Sequence, residues 1–147
     1  MIRDDLTGSH VGVNGFRLMP GDPLREFPAT ASLSTAAGDH LGLVAYTWQH
    51  PDDGPQDGLI MIWRTAEPDG IAATWGDSWY QKPGTMPLTG KSSPDGSLQL
   101  DGDYGEGWGW RILIGPGEYL LRMENVVPSG HSPAGAYPVM LLRRITG

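Results

Sequence analysis

The sequence predicts an all-β fold, a single closed antiparallel up-and-down barrel of about ten strands. Apolar and polar residues alternate in short runs rich in β-branched and aromatic residues, which is typical of strands. Each run ends at glycine, proline or aspartate, as expected of turns between neighbouring strands. The 22 glycines and 13 prolines leave no stretch suited to a long helix.

The first three predicted strands have clear ends. Residues 9–18 alternate around glycines, and the proline-rich segment 19–23 ends the run. Residues 29–36 and 40–50 follow, and Gly38 between them can adopt the positive φ that a tight hairpin requires. These runs therefore predict a strand followed by a hairpin.

The middle of the chain contains a long connection and a short turn. Residues 49–58 join two apolar runs and are predicted to form a loop at the rim of the barrel. The next two strands, 59–64 and 71–75, are joined through Pro68 and Gly70. Proline presets φ and glycine closes the turn, so this segment predicts a second hairpin.

The second half of the chain repeats the same pattern. Residues 77–82 are compatible with a single helical turn, which Pro83 and Gly84 would end. The remaining predicted strands are short apolar runs between glycines, prolines and aspartates. They cover residues 86–91, 97–101, 107–114, 119–126 and 137–145.

Ten consecutive strands with short turns favour up-and-down order in one sheet. An open sheet of this size would expose two long edges, and closing it into a barrel removes both. A β-sandwich stays the alternative, because alternation and turn spacing are the same in both architectures. The length of 147 residues predicts one domain spanning residues 1–147.

Charge and composition disfavour several functional classes. With 17 acidic and 10 basic residues the net charge is −7, which opposes binding to nucleic acid and to anionic membranes. The chain has no cysteine, and therefore no disulfides and no thiolate chemistry. The start carries no apolar leader, and the longest apolar run, 59–63, is far shorter than the roughly 20 residues that span a bilayer. A cytoplasmic location is expected.

Three short segments resemble a known superfamily. Residues 8–16, 73–79 and 121–125 are similar to uncharacterised bacterial domains grouped with the calycins, including the DUF1579 type. Those domains are lipocalin-like barrels, so the resemblance implies an internal cavity for a small, largely apolar molecule. It implies no established chemistry. The first strand departs from the family pattern, because His10 stands where a tryptophan is usual.

Alternation separates the faces of the most aromatic strands, because neighbouring side chains point to opposite sides of a sheet. The aromatic residues are Tyr46 and Trp48 in the third strand, Trp108 and Trp110 in the eighth, and Trp75 and Trp79 near the centre of the chain. These faces are too aromatic to be exposed to water. The rings therefore either line a cavity for a ligand or fill the core.

Polar residues embedded in apolar strands are further candidates, since burying one without a partner costs roughly 1–3 kcal/mol. Arg122 and Glu124 share a face, so they either clamp a ligand carboxylate or pair with each other on the outer wall. Asp77 with Glu124 is a candidate acid and base pair. The predicted ligand-binding residues are His10, Asn14, Tyr46, Trp48, Trp75, Asp77, Trp79, Trp110, Arg122 and Glu124.

The run from Leu59 to Trp63 is apolar on both faces, whereas an antiparallel strand with water on one side alternates. Its outer face is therefore predicted to be covered. Two alternatives stay open, a second subunit that forms a homodimer and a covering loop at residues 86–88.

The histidines do not have the spacing of metal ligands. His10, His40, His50 and His131 form neither a His-x-His nor a His-Glu-x-x-His pattern, so no metal and no cofactor are predicted. His131 lies in a loop bounded by prolines, where it is either an axial haem ligand or a solvated side chain.

The predicted function is binding of a small hydrophobic or aromatic molecule in an internal barrel cavity. One alternative is a barrel enzyme that acts on such a molecule with an inward Asp, Glu, His or Arg. Another is a dimerising interaction module without a ligand. An enzyme needs at least one titratable pair that points into the barrel, whereas a binding protein needs only an orienting group.

Overall fold

The strands close into one barrel. A computed structural model describes residues 1–132 and 134–145 of the chain. The strands are β1 Gly8–Phe16, β2 Arg25–Ala36, β3 Leu41–His50, β4 Gly54–Arg64, β5 Gly70–Asp77, β6 Gln81–Ser92, β7 Leu98–Gly105, β8 Trp108–Ile114, β9 Tyr119–Val127 and β10 Gly135–Arg144. Each strand is antiparallel to its neighbours in sequence, and β1 pairs with β10. The predicted fold class, a closed antiparallel up-and-down barrel of ten strands, is confirmed.

The connection between β3 and β4 is shorter than the sequence predicts. Strand β3 continues to His50 and β4 begins at Gly54, and these two residues are the last pair of the ladder. The predicted rim loop over 49–58 is therefore wrong, and residues 51–53 alone form the turn. The ladder extends this far because backbone hydrogen bonds, and not apolar side chains, hold the two strands together, and here buried His50 continues the inner face while exposed Asp57 lies on the outer one.

The segment from Asp77 to Gly84 forms no helical turn. Asp77 ends β5 and Gln81 begins β6, and these residues pair across a turn of three residues. Pro83 and Gly84 lie inside β6, where the register shifts against β5. A bulge tolerates a proline because its missing N–H is not needed there, so the predicted stop at this point is wrong.

One end of the barrel is closed by the amino-terminal segment. Residues Asp4–Leu6 form a short 3₁₀ helix, and Ile2 and Leu6 are buried in the core. Gly42 leaves room for this segment, since a Cβ there would lie 2.9 Å from Ile2 Cδ1. We call this the plugged end. Within the described chain, no helix is long and apolar enough to cross a membrane.

Alternate residues of the strands fill the barrel interior. Tyr46 and Trp48 in β3 and Trp110 in β8 are buried, while Trp108 is half-buried at the start of β8. The inward orientation of these aromatic faces is thus confirmed, apart from the partial exposure of Trp108. Aromatic residues concentrate at the end of the barrel opposite the plug, which we call the aromatic end.

The outer face of β4 is uncovered in the described chain. Ile60 and Ile62 point into the core, whereas Leu59 on the opposite face is 47% exposed. The predicted covering loop at 86–88 is wrong, because Met86 and Leu88 belong to β6 and are buried inside the barrel. The second subunit is the alternative that stays a prediction.

Candidate functional site

Seven rings form one contact network at the aromatic end, which we call the aromatic cluster. They come from the ends of β1, β3 and β5, from the turn between β5 and β6, and from β8. The members are Phe16, Trp48, His50, Trp75, Trp79, Tyr80 and Trp110. Four of them, Trp48, Trp75, Trp79 and Trp110, were among the predicted ligand-binding residues.

The rings pack directly on one another. Trp75 and Trp110 stack with centroids 5.0 Å apart and planes 9° from parallel. His50 stacks on Trp79 at 4.6 Å with planes 27° apart. These are ordinary aromatic contact distances, so each stacked pair leaves no gap of ligand size between its two rings.

Tyr80 occupies the centre of the cluster. It lies in the turn between β5 and β6, and its ring centroid is 4.8 Å from that of Trp110 and 5.5 Å from that of Trp48. Phe16, Trp75 and Trp79 lie within 6.4 Å of it as well. One phenol ring is therefore surrounded by five aromatic rings.

A buried carboxylate lies beneath the cluster. Asp77 Oδ2 accepts hydrogen bonds from the Tyr46 hydroxyl at 2.5 Å and from Trp48 Nε1 at 3.2 Å. The Tyr46 hydroxyl in turn accepts a hydrogen bond from Trp75 Nε1 at 2.8 Å. Three of the predicted site residues thus converge on Asp77, as members of one hydrogen-bond network.

The other carboxylate oxygen of Asp77 holds the turn that carries the cluster's outer rings. Oδ1 accepts the backbone N–H groups of Trp79 at 2.8 Å and Tyr80 at 2.9 Å. Ser78, the first residue of this turn, donates its hydroxyl to Gln56 Oε1 at 2.7 Å. The carboxylate therefore accepts four hydrogen bonds, and two of them position this turn.

Tyr46 reaches Asp77 by crossing over a glycine. Gly58 lies between them in the sheet, and a Cβ at that position would overlap the Tyr46 hydroxyl and ring. Burial raises the pKa of Tyr46 well above its ordinary value, and the neighbouring Asp77 charge raises the pKa further. Tyr46 consequently keeps its proton and acts as a hydrogen-bond donor at neutral pH.

Several buried polar atoms at the aromatic end have no hydrogen-bond partner among residues 1–132 and 134–145. We call their side chains the unpaired set. They are Asn14 with both amide atoms, His50 with Nε2, Tyr80 with its hydroxyl and Trp110 with Nε1. More than nine in ten buried polar groups are normally paired, so four such side chains at one end of a small barrel require an explanation.

Asn14 is one of the predicted site residues, and it is the non-aromatic member of the unpaired set. It lies on the inner face of β1, two residues before Phe16 on the same face, and is 1% exposed. Its ladder neighbours are Phe27 and Leu142. An amide buried without a hydrogen-bond partner is costly, so Asn14 is a polar group whose burial the described residues do not offset.

The other predicted site residues lie elsewhere. His10 is toward the plugged end, where its Nε2 donates to the Leu6 carbonyl at 2.7 Å and anchors the 3₁₀ helix. Arg122 and Glu124 face outward and pair at 2.6 Å, with Arg111 on the other side of Glu124. Of the two orientations that the sequence left open for this pair, the outer-wall one is observed.

Asp77 and Glu124 do not form an acid and base pair. Asp77 faces the barrel interior, whereas Glu124 is held on the outer wall by two arginines. The expectation of such a pair is wrong, because the sheet itself separates the two carboxylates.

His131 lies in the segment between β9 and β10. His131 is exposed and contacts Trp108 at the rim with ring centroids 4.9 Å apart, outside the aromatic cluster. Residues 1–132 and 134–145 contain no group of three or more His, Asp or Glu side chains placed to hold a metal ion.

Sequence reasoning missed Phe16, His50 and Tyr80 as members of the cluster. His50 has the same parity as Tyr46 and Trp48, so the face of β3 already contained the signal. Phe16 likewise shares its face with Asn14. Tyr80 lies in a turn, where no periodicity assigns a direction to the side chain.

A cleft leads to the cluster from outside. It has a volume of about 260 Å³ and is bordered by Phe16, His50, Leu18 and Pro23, together with the charged residues Arg17, Asp22, Arg25 and Asp52. Two rings of the aromatic cluster therefore form one wall of an opening at the aromatic end.

Neither a scan against protein-family models nor a search of curated proteins finds a match to this sequence. The closed ten-stranded barrel is consistent with the calycin class. The resemblance to that superfamily stays a prediction.

Proposed function

We propose that the barrel binds a small hydrophobic or aromatic molecule at its aromatic end, and that a ring of the ligand takes the place of the Tyr80 side chain. One observation carries this proposal. The Tyr80 ring is enclosed by five other rings, yet its buried hydroxyl has no partner in the described chain. The surroundings suit an aromatic ring, but they offer no hydrogen-bond partner to the hydroxyl of a phenol.

The energetics favour exchange of one ring for another. An unpaired buried hydroxyl costs roughly 1–3 kcal/mol, which the protein recovers when Tyr80 turns toward water. A flat ligand in the same place keeps the aromatic contacts with Trp48 and Trp110. The position therefore holds Tyr80 weakly enough for a ligand to compete.

The exchange requires little movement of the backbone. Asp77 and Ser78 fasten the turn that carries Tyr80, so rotation about χ1 of Tyr80 is the main change. The cleft beside Phe16 and His50 supplies an approach from solvent. Burial raises the pKa of the Tyr80 hydroxyl, and this keeps the side chain uncharged while it is inside.

A fluorescence titration with the uncharged probe N-phenyl-1-naphthylamine tests the proposal. We expect one equivalent to bind and to receive energy from tryptophan, because the probe would lie against Trp48 and Trp110. Tyr80→Ala should tighten binding by about tenfold, since the site is then open before the probe arrives.

Tyr104→Ala is the matched control, because Tyr104 is 51% exposed on β7 and belongs to no part of the cluster. Its affinity for the probe should equal that of the parent. Absence of stoichiometric binding to the parent protein would contradict the proposal, and so would equal affinity in the Tyr80→Ala variant.

We also propose that the barrel forms a homodimer through an uncharged outer wall built by β3 to β6. Its residues are Leu43, Ala45, Leu59, Met61, Trp63, Ala72, Thr74, Gly76, Thr85 and Pro87, which neighbour one another across the ladders, with Thr85 against Gly76 and Asp57 at the border of the wall. The chain carries a charge of −7, so two copies repel through most surfaces. The uncharged wall is the face through which a second copy can approach closely.

Light scattering tests the dimer. We expect a mass near twice the 15.9 kDa of the chain, and Leu59→Lys should halve it by placing a charge in the wall. Ile145→Lys is the control, because Ile145 is 54% exposed just after β10, on the opposite side of the barrel from β4 and β5. A monomeric parent protein at millimolar concentration would contradict the dimer.

A further inference from the structure

We infer that the ligand at the aromatic end is an uncharged planar molecule with a hydrogen-bond acceptor such as a carbonyl, as in an aromatic ketone or quinone. This inference rests on the proposed function and narrows it to a chemical class. It follows from which hydrogen-bonding groups of the unpaired set can donate and which can accept.

His50 contributes a donor of defined identity. Its Nδ1 accepts the backbone N–H groups of Asp52 and Asp53, both at 3.1 Å. A nitrogen that accepts carries no proton, so the proton of the neutral ring resides on Nε2. The buried Nε2–H of His50, without a partner in the described residues, can therefore only donate.

Trp110 contributes a donor on the ring whose centroid lies closest to that of Tyr80. An indole N–H donates and never accepts. The Trp110 ring is the closest of those around Tyr80, at 4.8 Å, so a ligand ring in the place of Tyr80 lies directly against it. Its Nε1–H is buried and unpaired within the described chain.

Asn14 adds two further N–H donors and one carbonyl acceptor. Once Tyr80 has turned outward, the remaining members of the unpaired set hold four N–H bonds and a single acceptor oxygen. Donors thus outnumber acceptors, and a ligand with acceptor groups satisfies more of them than a ligand with donor groups.

The Asp77 carboxylate beneath the cluster disfavours an anionic ligand and offers no free acceptor, while Asp53 at the exposed rim accepts from Trp79 Nε1 at 2.8 Å. Asp77 already accepts four hydrogen bonds, so a donor group on the ligand finds no lone pair there. Its negative charge also repels a ligand carboxylate or phenolate. An uncharged carbonyl is the group that meets both conditions.

Displacement of the bound probe by matched bicyclic molecules tests the class. 1-Indanone and indane have the same shape and differ in one carbonyl, and 4-aminoindane carries a donor instead. We expect 1-indanone to displace N-phenyl-1-naphthylamine at a concentration at least tenfold lower than indane or 4-aminoindane, because buried donors gain a partner.

Two variants assign the preference to the unpaired set. Trp110→Phe keeps an aromatic ring but removes the N–H, and it should reduce the preference for 1-indanone over indane to less than threefold while the affinity for indane is unchanged. Thermal melting shows whether Trp110→Phe folds. If it does not fold, Asn14→Leu replaces it in the same measurement.

The outcomes separate this inference from the proposed function. A parent protein that binds the probe but prefers indane, 4-aminoindane or none of the three molecules overturns the acceptor class and leaves the probe site intact. A parent protein that does not bind the probe overturns the proposed function itself. A preference for 1-indanone that survives in both variants overturns the assignment to Trp110 and Asn14.

Discussion

Replacing Asp77 by alanine is expected to destabilise the barrel by about 3–6 kcal/mol, since each buried donor left unpaired costs roughly 1–3 kcal/mol. The substitution leaves the Tyr46 hydroxyl and Trp48 Nε1 without a hydrogen-bond acceptor inside the core. Two backbone N–H groups of the turn lose their acceptor as well. Such a loss approaches the whole stability of a typical domain, about 5–15 kcal/mol. Urea denaturation followed by tryptophan fluorescence measures it.

Asp52→Ala is the control for this experiment, because Asp52 is an exposed carboxylate on the neighbouring rim turn. It should change the free energy of unfolding by less than about 0.5 kcal/mol, as surface substitutions usually do. Asp77→Asn keeps an acceptor of the same shape and should fall between the two. A loss below about 1 kcal/mol in Asp77→Ala would show that the network does not hold the aromatic end together.

Gly58→Ala is expected to cost about 2–4 kcal/mol, at or above the usual range for overpacking, because Tyr46 can avoid the new methyl group only by giving up its buried hydrogen bonds. The methyl would occupy the space through which Tyr46 reaches Asp77. Tyr46 must then withdraw. As a result, Trp75 Nε1 loses its hydrogen-bond acceptor and Asp77 loses a hydrogen-bond donor. Chemical denaturation again provides the measurement.

Gly76→Ala is the matched control for Gly58→Ala. Both glycines lie inside neighbouring strands, β4 and β5, but a Cβ at Gly76 would meet Thr85 Cγ2 at 3.6 Å, an ordinary contact. A second test uses a shortened residue 46. In a Tyr46→Leu background the methyl at position 58 has room, so its cost should largely disappear. An unchanged cost there would contradict the steric explanation.

Much of the candidate site was accessible to sequence reasoning because strands alternate. The parity of β3 predicted that Tyr46 and Trp48 point inward, and the position of Asp77 in an apolar run predicted a buried carboxylate with partners. The same reasoning grouped His10 and Glu124 with them. It had no means to separate these residues, since alternation specifies a face of the sheet but not which strands meet across the barrel.

The sequence by itself determined the all-β class and the order of ten strands, because turn residues and two-residue periodicity are local properties of a chain. Closure into a barrel rather than a sandwich was decided by the tertiary structure. Only the tertiary structure decided that Tyr80, a turn residue, is the centre of the aromatic cluster. The tertiary structure alone decided that Asp77 accepts four hydrogen bonds, while the polar side-chain atoms of Asn14 and Trp110 have no hydrogen-bond partner in the described chain. Hydrogen-bond satisfaction depends on distances between residues far apart in sequence, and closure of the barrel sets those distances.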